Sequence, residues 1–251
     1  MKGAATTIAV GSKVRLAELP TRGGDASGHH KAHAGLRALR PRLADLHDRL
    51  WSQNAGPVLL LLQGPDTAGK DSVIRHVLTG LAPQALEVHA FGVPSDEERH
   101  HDFLWRYQVR MPRRGRLGVF NRTWYESVLV ERVDRLVAGD VWRRRYAHIN
   151  AFESLLASSG VRLVKVMLHL SKGEQARRLQ ARKDDAAKRW KNNPDDLRKH
   201  RQYAAYRKAY EDALSACSTR AAPWHVIPAD DKPSRDLAVA RLLASALEAA
   251  T

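Results

Sequence analysis

Cysteine is nearly absent from this chain, which contains only Cys217 in 251 residues. A single cysteine cannot form an internal disulfide, so the fold must be stabilised by its hydrophobic core, as is usual in a reducing compartment such as the cytoplasm. The longest purely aliphatic run, Val58–Leu62, is far shorter than the roughly 18 residues that a membrane-spanning helix needs. These shortages exclude a small disulfide scaffold and predict a cytoplasmic protein without a membrane partner.

Acidic residues are also in short supply, because 42 Lys and Arg face 27 Asp and Glu, a formal net charge of +15 at pH 7. Such a surplus indicates a polyanionic partner, which could be nucleic acid, an acidic membrane surface or a phosphate-rich substrate. It could also reflect nothing more than abundant arginine. The apolar fraction of 43% is enough for one sizeable core and excludes a fully disordered chain.

From residue 58 onward, short apolar segments alternate with segments of helical periodicity. An alternation of this kind predicts an α/β fold with a five-stranded parallel sheet and helices on both faces, which is a three-layer sandwich. Functional side chains are then expected at the carboxyl ends of the strands. The five predicted strands are Val58–Leu62, Leu86–Phe91, Leu117–Phe120, Val161–Leu168 and Trp224–Ile227.

The N-terminal part differs in composition from the rest. Residues 1–33 are rich in small and polar positions, so we expect a flexible arm before a single domain over residues 34–251. At the start of that domain, leucines recur every three or four positions, which predicts a packing helix with Pro41 as its start or as a kink. Such a helix could also serve an interface between copies of the chain. The leucines are Leu36, Leu39, Leu43, Leu46 and Leu50.

The first predicted strand leads into a segment, Gly64–Ser72, that fits the pattern G-x-x-x-x-G-K, with Asp71 where Ser or Thr is usual. Glycines let the backbone approach an anion, and the N–H groups that open the next helix point at phosphate oxygens. Lys70 adds a mobile positive charge. The simpler alternative is a glycine-rich turn with a surface lysine. The strand–turn–helix context favours phosphate binding, with contacts expected from Gly64, Ala68, Gly69, Lys70 and Asp71.

Two carboxylates, Asp66 and Asp71, lie within this phosphate-binding loop. A polyphosphate would repel both unless a cation intervened, and Mg²⁺ is the simplest candidate because it prefers carboxylate and phosphate oxygens. Asp66 is then the expected metal ligand. Alternatively, Asp66 could accept a proton from an attacking phosphate, although phosphoryl transfer depends mostly on positioning and charge stabilisation.

The third predicted strand ends in Asn121, at the position where P-loop kinases carry an acidic Mg²⁺ ligand. An amide is a weaker ligand for Mg²⁺, which again leaves the metal to Asp66. The following Arg122 is suited to a forked contact with phosphate. The alternative is that Asn121 is only a helix N-cap and Trp124 only a core residue.

Several separated motifs in this chain, in the right order, resemble the family-2 polyphosphate kinases over roughly residues 35–248. The resemblance implies a P-loop kinase fold and Mg²⁺-dependent phosphate transfer between inorganic polyphosphate and a nucleotide. The matching stretches are Gln63–Asp71, His101–Arg106, Phe120–Glu126, Val128–Val130, Trp190–Lys191, Tyr210–Leu214 and Ala222–Asp230.

The same resemblance implies roles for five residues of this chain. Asp66 and Lys70 correspond to the catalytic pair of the loop, and Asn121, Arg122 and Glu126 correspond to the family's second catalytic motif. The combination of Asn121 with Glu126 resembles the subgroup that acts on both nucleoside monophosphates and diphosphates.

The cationic surplus is concentrated between residues 177 and 208, where twelve Lys or Arg accompany four Asp. This segment follows the fourth strand, where P-loop kinases place a lid. A basic helical lid could follow a linear polyphosphate and release its counterions on binding. The alternative is a solvated helix face. The polyphosphate contacts expected from this segment are Arg178, Arg182, Lys188 and Lys191.

The expected protein is therefore a polyphosphate kinase that converts ADP to ATP and also AMP to ADP, with adenine and guanine nucleotides as partners, as a dimer or tetramer. One alternative is an ATP-dependent nucleoside monophosphate kinase of the thymidylate kinase type, which shares the phosphate-binding loop. The other is a basic nucleic-acid-binding module, for which the sequence contains no recognised reader motif.

Overall fold

A computed structural model of the chain describes residues 5–23, 26–186, 190 and 194–251. The strands are β1 (Thr6–Thr7), β2 (Val58–Gln63), β3 (Leu86–Ala90), β4 (Leu117–Asn121), β5 (Arg162–His169) and β6 (Trp224–Pro228). The helices are α1 (Ala26–Ser52), α2 (Lys70–Val77), α3 (Asp96–Arg99), α4 (Trp105–Gln108), α5 (Glu126–Val133), α6 (Gly139–Ser158), α7 (Lys172–Asp184), α8 (Asp195–Arg201), α9 (Tyr203–Cys217) and α10 (Lys232–Glu248).

The strands form one sheet in the order β1-β6-β5-β2-β4-β3. The five strands from β2 to β6 are parallel, as the alternation predicted. Strand β2 lies between β5 and β4, and all six of its residues are buried because helices cover both faces of the sheet. The carboxyl ends of β2 and β4 therefore lie side by side, and this arrangement positions the candidate site.

The predicted strand count was wrong by one, because the sheet has a sixth strand supplied by the N-terminal segment. Thr6 and Thr7 pair antiparallel with Val226 and His225 at the β6 edge. Beyond this pairing, Leu16 is almost completely buried in the core. The described part of the segment is thus anchored to the sheet, and the boundary expected at residue 33 lies inside α1.

Two groups of helices cover the two faces of the sheet. Helices α1, α2 and α10 pack on one face, and α5, α6 and α9 pack on the other. The packing helix predicted from its leucines is α1, which runs through Pro41 and lies against α10. Leu43 and Leu50 are fully buried there, and burial of such a side chain contributes about 1.5–3 kcal/mol. No helix in the described part of the chain is long and apolar enough to cross a membrane.

A fully buried ion pair lies under the second face. Lys165 of β5 donates to the Glu153 carboxylate of α6 at 2.6 Å. The same carboxylate accepts hydrogen bonds from the Trp124 indole at 3.0 Å and the Tyr125 hydroxyl at 2.8 Å. Removing either residue of the pair would leave the other charge buried without a partner, which is strongly destabilising. The pair therefore holds its hydrogen bonds to Trp124 and Tyr125 in place, and these fix the turn between β4 and α5. Glu153 and Lys165 therefore position Arg122 and Glu126, which flank the two aromatic residues.

Candidate active site

The phosphate-binding loop connects the buried end of β2 to the start of α2. Its backbone turns through three positive φ angles, +150° at Gly64, +66° at Thr67 and +101° at Gly69, and Gly69 is the residue that caps α2. A positive φ strains most residues other than glycine. The turn therefore depends on which residues occupy these positions. The loop thereby directs the free N–H groups of α2 toward the carboxyl edge of the sheet, as phosphate binding requires.

Lys70 is the first residue of α2, and its side chain is buried, with an exposed fraction of only 9%. Its Nζ donates to the carbonyl oxygen of Gly64 at 2.7 Å and is 3.4 Å from that of Pro65. The alternative of a surface lysine is therefore wrong. Burial and, next in size, the charge of Arg122 lower the pKa of Lys70 to about 8, although nearby carboxylates act in the opposite direction.

Asp66 is the point at which the cations of the site converge. The Arg122 guanidinium donates to its Oδ1 at 3.1 Å, and Lys199 Nζ lies 3.7 Å from its Oδ2. Burial alone would raise the pKa of Asp66, but the charges of Lys70, Arg122, Lys199 and Arg182 outweigh it and hold that pKa below its ordinary value. Asp66 is thus ionised at neutral pH and surrounded by positive charge.

The end of β4 brings the second predicted group to the same place. Asn121 donates from Nδ2 to the Asp71 carboxylate at 2.8 Å. Arg122 adopts a φ of +67°, a conformation that costs a non-glycine residue on the order of 1–3 kcal/mol. Glu126 opens α5 and lines the pocket beside Arg122.

The alternative reading of the β4 end is half correct. Asn121 does not cap α5, because the capping residue is Tyr125. Trp124 is a core residue, since it is fully buried and bonded to Glu153.

Arg178 lies behind the phosphate-binding loop and not at its mouth. Its side chain is buried, and its five N–H donors match five hydrogen bonds within the protein. The expectation of a direct polyphosphate contact is therefore replaced by a positioning role, since Arg178 braces the loop backbone from α7. Its acceptors are the carbonyl oxygens of Thr67, Ala68, Ala229 and Asp230, at 2.8–3.4 Å, and the Glu174 carboxylate at 2.7 Å.

Arg235, which the sequence analysis did not single out, supports the loop from α10. It is fully buried, donates to the Ala68 carbonyl at 2.9 Å and is held by the Asp236 carboxylate. Its guanidinium packs directly against Gly69, where a Cβ would overlap it. No pattern in the sequence marks Arg235, because its partner is a backbone carbonyl 167 positions away.

We expect Gly69→Ala to destabilise the protein and to reduce activity strongly. The Cβ would be strained by the positive φ, at about 1–2 kcal/mol, and would also displace the buried Arg235. Gly80→Ala is the matched control, because Gly80 has a φ of +90° but nothing within 4 Å of its Cβ position. Gly69→Ala should lose more stability in urea unfolding, and more turnover, than Gly80→Ala. Equal losses in the two variants would contradict the role of Arg235.

The basic segment reaches the site through a residue that was not predicted. Lys199 of α8 is the cation beside Asp66, whereas Arg182 of α7 bonds the Asp196 carboxylate at 2.9 Å and influences Asp66 only through its charge. Lys188 and Lys191 lie outside the described residues. Positive residues are frequent in this segment, so composition alone could not single out Lys199.

Helix α9 closes the pocket with three tyrosines at spacings of three and four, which place them on one helix face. The cavity that remains is only about 40 Å³, which is room for a few water molecules. The pocket is partly open to solvent, so only part of a nucleotide or polyphosphate would lie within this volume. The tyrosines are Tyr203, Tyr206 and Tyr210.

Metal binding depends on few protein ligands here. Among the residues that the structure describes, no three His, Cys, Asp or Glu side chains cluster to hold an ion. Mg²⁺ is nevertheless suited to this site, because in kinases it is bound by one or two carboxylates together with substrate phosphates and water. Asp66 is the carboxylate that could share it.

Comparisons with known proteins show the family to which the chain belongs. The sequence matches the family described as Polyphosphate kinase 2 over residues 27–251. It is 43% identical to the AMP/ADP-polyphosphate phosphotransferase of Meiothermus ruber, over 88% of this chain and 83% of that protein. It is 42% identical to the ADP-polyphosphate phosphotransferase of Rhodopseudomonas palustris, over 96% of this chain and 88% of that one.

The fold is similar to the crystal structure of polyphosphate kinase 2 from Arthrobacter aurescens TC1. That comparison gives a TM-score of 0.90 and 39% identity, covering 98% of this chain and 92% of the other. Sequence and fold agree, and this chain belongs to the polyphosphate kinase 2 family.

Proposed function

We propose that this enzyme transfers phosphate between inorganic polyphosphate and a nucleotide, ADP or AMP, with Mg²⁺. The observation that carries the proposal is the convergence of Lys70, Arg122 and Lys199 on Asp66 beside the phosphate-binding loop. Three cations from three separate elements create a site for clustered negative charge. The relatives are AMP/ADP-polyphosphate and ADP-polyphosphate phosphotransferases, which suggests the two substrates.

In the direction that forms ATP, a terminal phosphate oxygen of ADP attacks the end phosphorus of polyphosphate. One P–O bond forms as the bond to the next phosphate of the chain breaks, so the shortened polyphosphate leaves with the electron pair. Lys70 and the loop N–H groups hold the transferred group, while Arg122 and Lys199 stabilise the charge on its oxygens. Mg²⁺, when bound, neutralises part of that charge.

The acceptor range is part of the proposal. Asn121 and Glu126 lie at the edge of the site, which supports the use of both nucleoside monophosphates and diphosphates suggested by their resemblance to that subgroup. Guanine acceptors and an assembly of two or four copies are proposed from the family resemblance, and a cytoplasmic location from the single cysteine.

The direct test is to supply the purified protein with Mg²⁺, polyphosphate and either ADP or AMP, and to identify the products. We expect ATP from ADP and ADP from AMP, with both reactions abolished by EDTA. Activity with ATP and AMP but no requirement for polyphosphate would favour the nucleoside monophosphate kinase. A folded, monodisperse protein that makes no ATP from ADP and polyphosphate would refute the proposal.

A further inference from the structure

The hydroxyl of Tyr206 is buried and has no hydrogen-bond partner among the described residues. Buried polar groups in native proteins are almost always bonded, and each exception needs an explanation. The side chain of Tyr206 lines the pocket beside the phosphate-binding loop. A hydroxyl without a partner in this pocket could therefore bond a ligand, which one elsewhere in the core could not.

The other two tyrosines of the same helix face differ. The Tyr203 hydroxyl donates to the carbonyl oxygen of Leu170 at 2.8 Å, so it fixes α9 to the end of β5. Tyr210 lies one turn further along, where its side chain is almost fully buried in the core. Among the three, Tyr206 is the residue whose buried hydroxyl serves no bond in the described fold.

The charges around Tyr206 keep its hydroxyl protonated. Burial raises the pKa of this phenol, and the carboxylates of Asp134, Glu126 and Asp66 raise it further. The group is therefore a hydrogen-bond donor at any pH near neutrality. None of these carboxylates is bonded to it, so the donor remains available.

The pocket also determines what the hydroxyl can meet. Arg122 and Lys199 line the same cavity and attract an anion. Phosphate oxygens carry no hydrogen at the bridging and ionised positions and act as acceptors, which matches a donor without a partner. An apolar ligand would leave the hydroxyl unsatisfied.

We propose that the Tyr206 hydroxyl donates a hydrogen bond to a phosphate oxygen of the substrate bound in this pocket. Tyr206 is then a further substrate-binding residue, contributed by α9. The inference rests on the proposed function, since it concerns the substrate of the same pocket. It predicts that the hydroxyl matters for activity but not for folding.

The test is Tyr206→Phe, which removes one oxygen and keeps the ring. We expect kcat/KM to fall roughly tenfold or more, the usual effect of losing a hydrogen bond to a charged group. The urea midpoint should stay unchanged or rise, because a buried unpaired oxygen is removed. Tyr146→Phe is the matched control, since the Tyr146 hydroxyl lies outside the pocket and accepts from Arg132. That control should lose stability and keep its activity.

Separate measurements assign the bond to one substrate. A higher KM for ADP, with weaker binding when ADP is titrated alone, would place the bond on the acceptor. The same changes for polyphosphate would place it on the donor. Unchanged kinetics and affinity for both would overturn the inference, and so would a loss of stability as large as that of Tyr146→Phe. If the wild-type protein makes no ATP, the proposed function fails, and the two titrations still decide whether the hydroxyl binds phosphate.

Discussion

Replacing Lys70 by Met is expected to lower turnover by about 10²–10³-fold, the usual loss when one preorganised contact to developing charge is removed. The side chain lies at the start of α2, directly under the loop, and its Nζ is within 2.7 Å of the Gly64 carbonyl. A small movement would bring it from that oxygen to a bound phosphate. Met has a similar length without the charge, so the fold should be retained.

The same substitution should change how stability depends on pH. Lys70 has a pKa of about 8 in the folded protein, against 10.5 ordinarily. Below pH 8 the folded state bears the cost of burying the charge, and stability rises between pH 8 and 10.5 as the folded state releases its proton first. The Lys70→Met variant lacks this rise in the free energy of unfolding, which is on the order of 3 kcal/mol. The difference in free energy of unfolding between Lys70→Met and the wild type should therefore become smaller with increasing pH.

Lys13→Met is the control for both measurements, because Lys13 is exposed in the N-terminal segment. It should match the wild type in turnover and in its unfolding curves from pH 7 to 10.5. If Lys70→Met retained wild-type turnover, Lys70 would not belong to the site. A constant stability gap across this pH range would instead show that its charge is not buried.

The predicted site residues that the structure brings together are those whose chemistry is encoded locally. The loop Gly64–Gly69 is recognisable because strand, glycines and lysine follow one another, and Arg122 because it ends a strand. The topology of parallel strands then brings these two segments together, since β2 and β4 are neighbours. Local pattern plus one topological rule is enough to place Asp66 beside Arg122.

The residues that sequence reasoning missed, Arg235 and Lys199, and the one to which it gave another role, Arg178, act through contacts that the sequence does not encode locally. Arg235 and Arg178 both bond carbonyl oxygens of the loop, and any residue can provide such an acceptor. In the same way, Lys199 could not be distinguished from the other cations of the basic segment before α8 was placed. Charge density predicted phosphate contacts from Arg178, Arg182, Lys188 and Lys191; of these, Arg178 braces the loop instead, and phosphate binding by the segment stays a prediction.

The N-terminal segment shows the limit of periodicity. A strand of two residues, Thr6–Thr7, has no alternation that a pattern could reveal, and its register depends on the exposed edge of β6. The start of α1 at Ala26 was hidden in the same way, because its first turns are rich in glycine and histidine instead of leucine. Tertiary contacts determine both features.

The cations of the site surround the Asp66 carboxylate, and this arrangement bears on the mechanism. Asp66 weakens the attraction of the pocket for anions, and its own ionised form depends on the cations beside it. A residue that opposes substrate binding is expected to serve catalysis, by orienting the acceptor or by sharing Mg²⁺. Binding and turnover should therefore respond to Asp66 in opposite directions.

Asp66→Asn is expected to lower kcat about 100-fold, the scale of loss that follows from misplacing a reacting group, while polyphosphate binds as tightly as before or more tightly. The amide keeps the size of the side chain but removes its negative charge from an anion site. Steady-state kinetics and titration with polyphosphate alone measure the two effects separately. Since the carboxyl has a lowered pKa in the folded state, its stabilising contribution exists above its ordinary pKa of 3.8 and is lost as the pH falls. The variant should therefore be less stable than the wild type at pH 7, and the two should become similar in acid.

Asp45→Asn makes the same chemical change at an exposed pair with Arg49 on α1, and it should leave both kcat and polyphosphate affinity unaltered. The comparison distinguishes two roles for Asp66. If Asp66→Asn lost polyphosphate affinity in proportion to kcat, Asp66 would serve to hold the surrounding cations in a binding geometry. If Asp66→Asn instead lowers kcat and retains polyphosphate affinity, the carboxylate acts on the reacting groups. Its negative charge hinders anion binding, so its benefit would then lie in the transfer step.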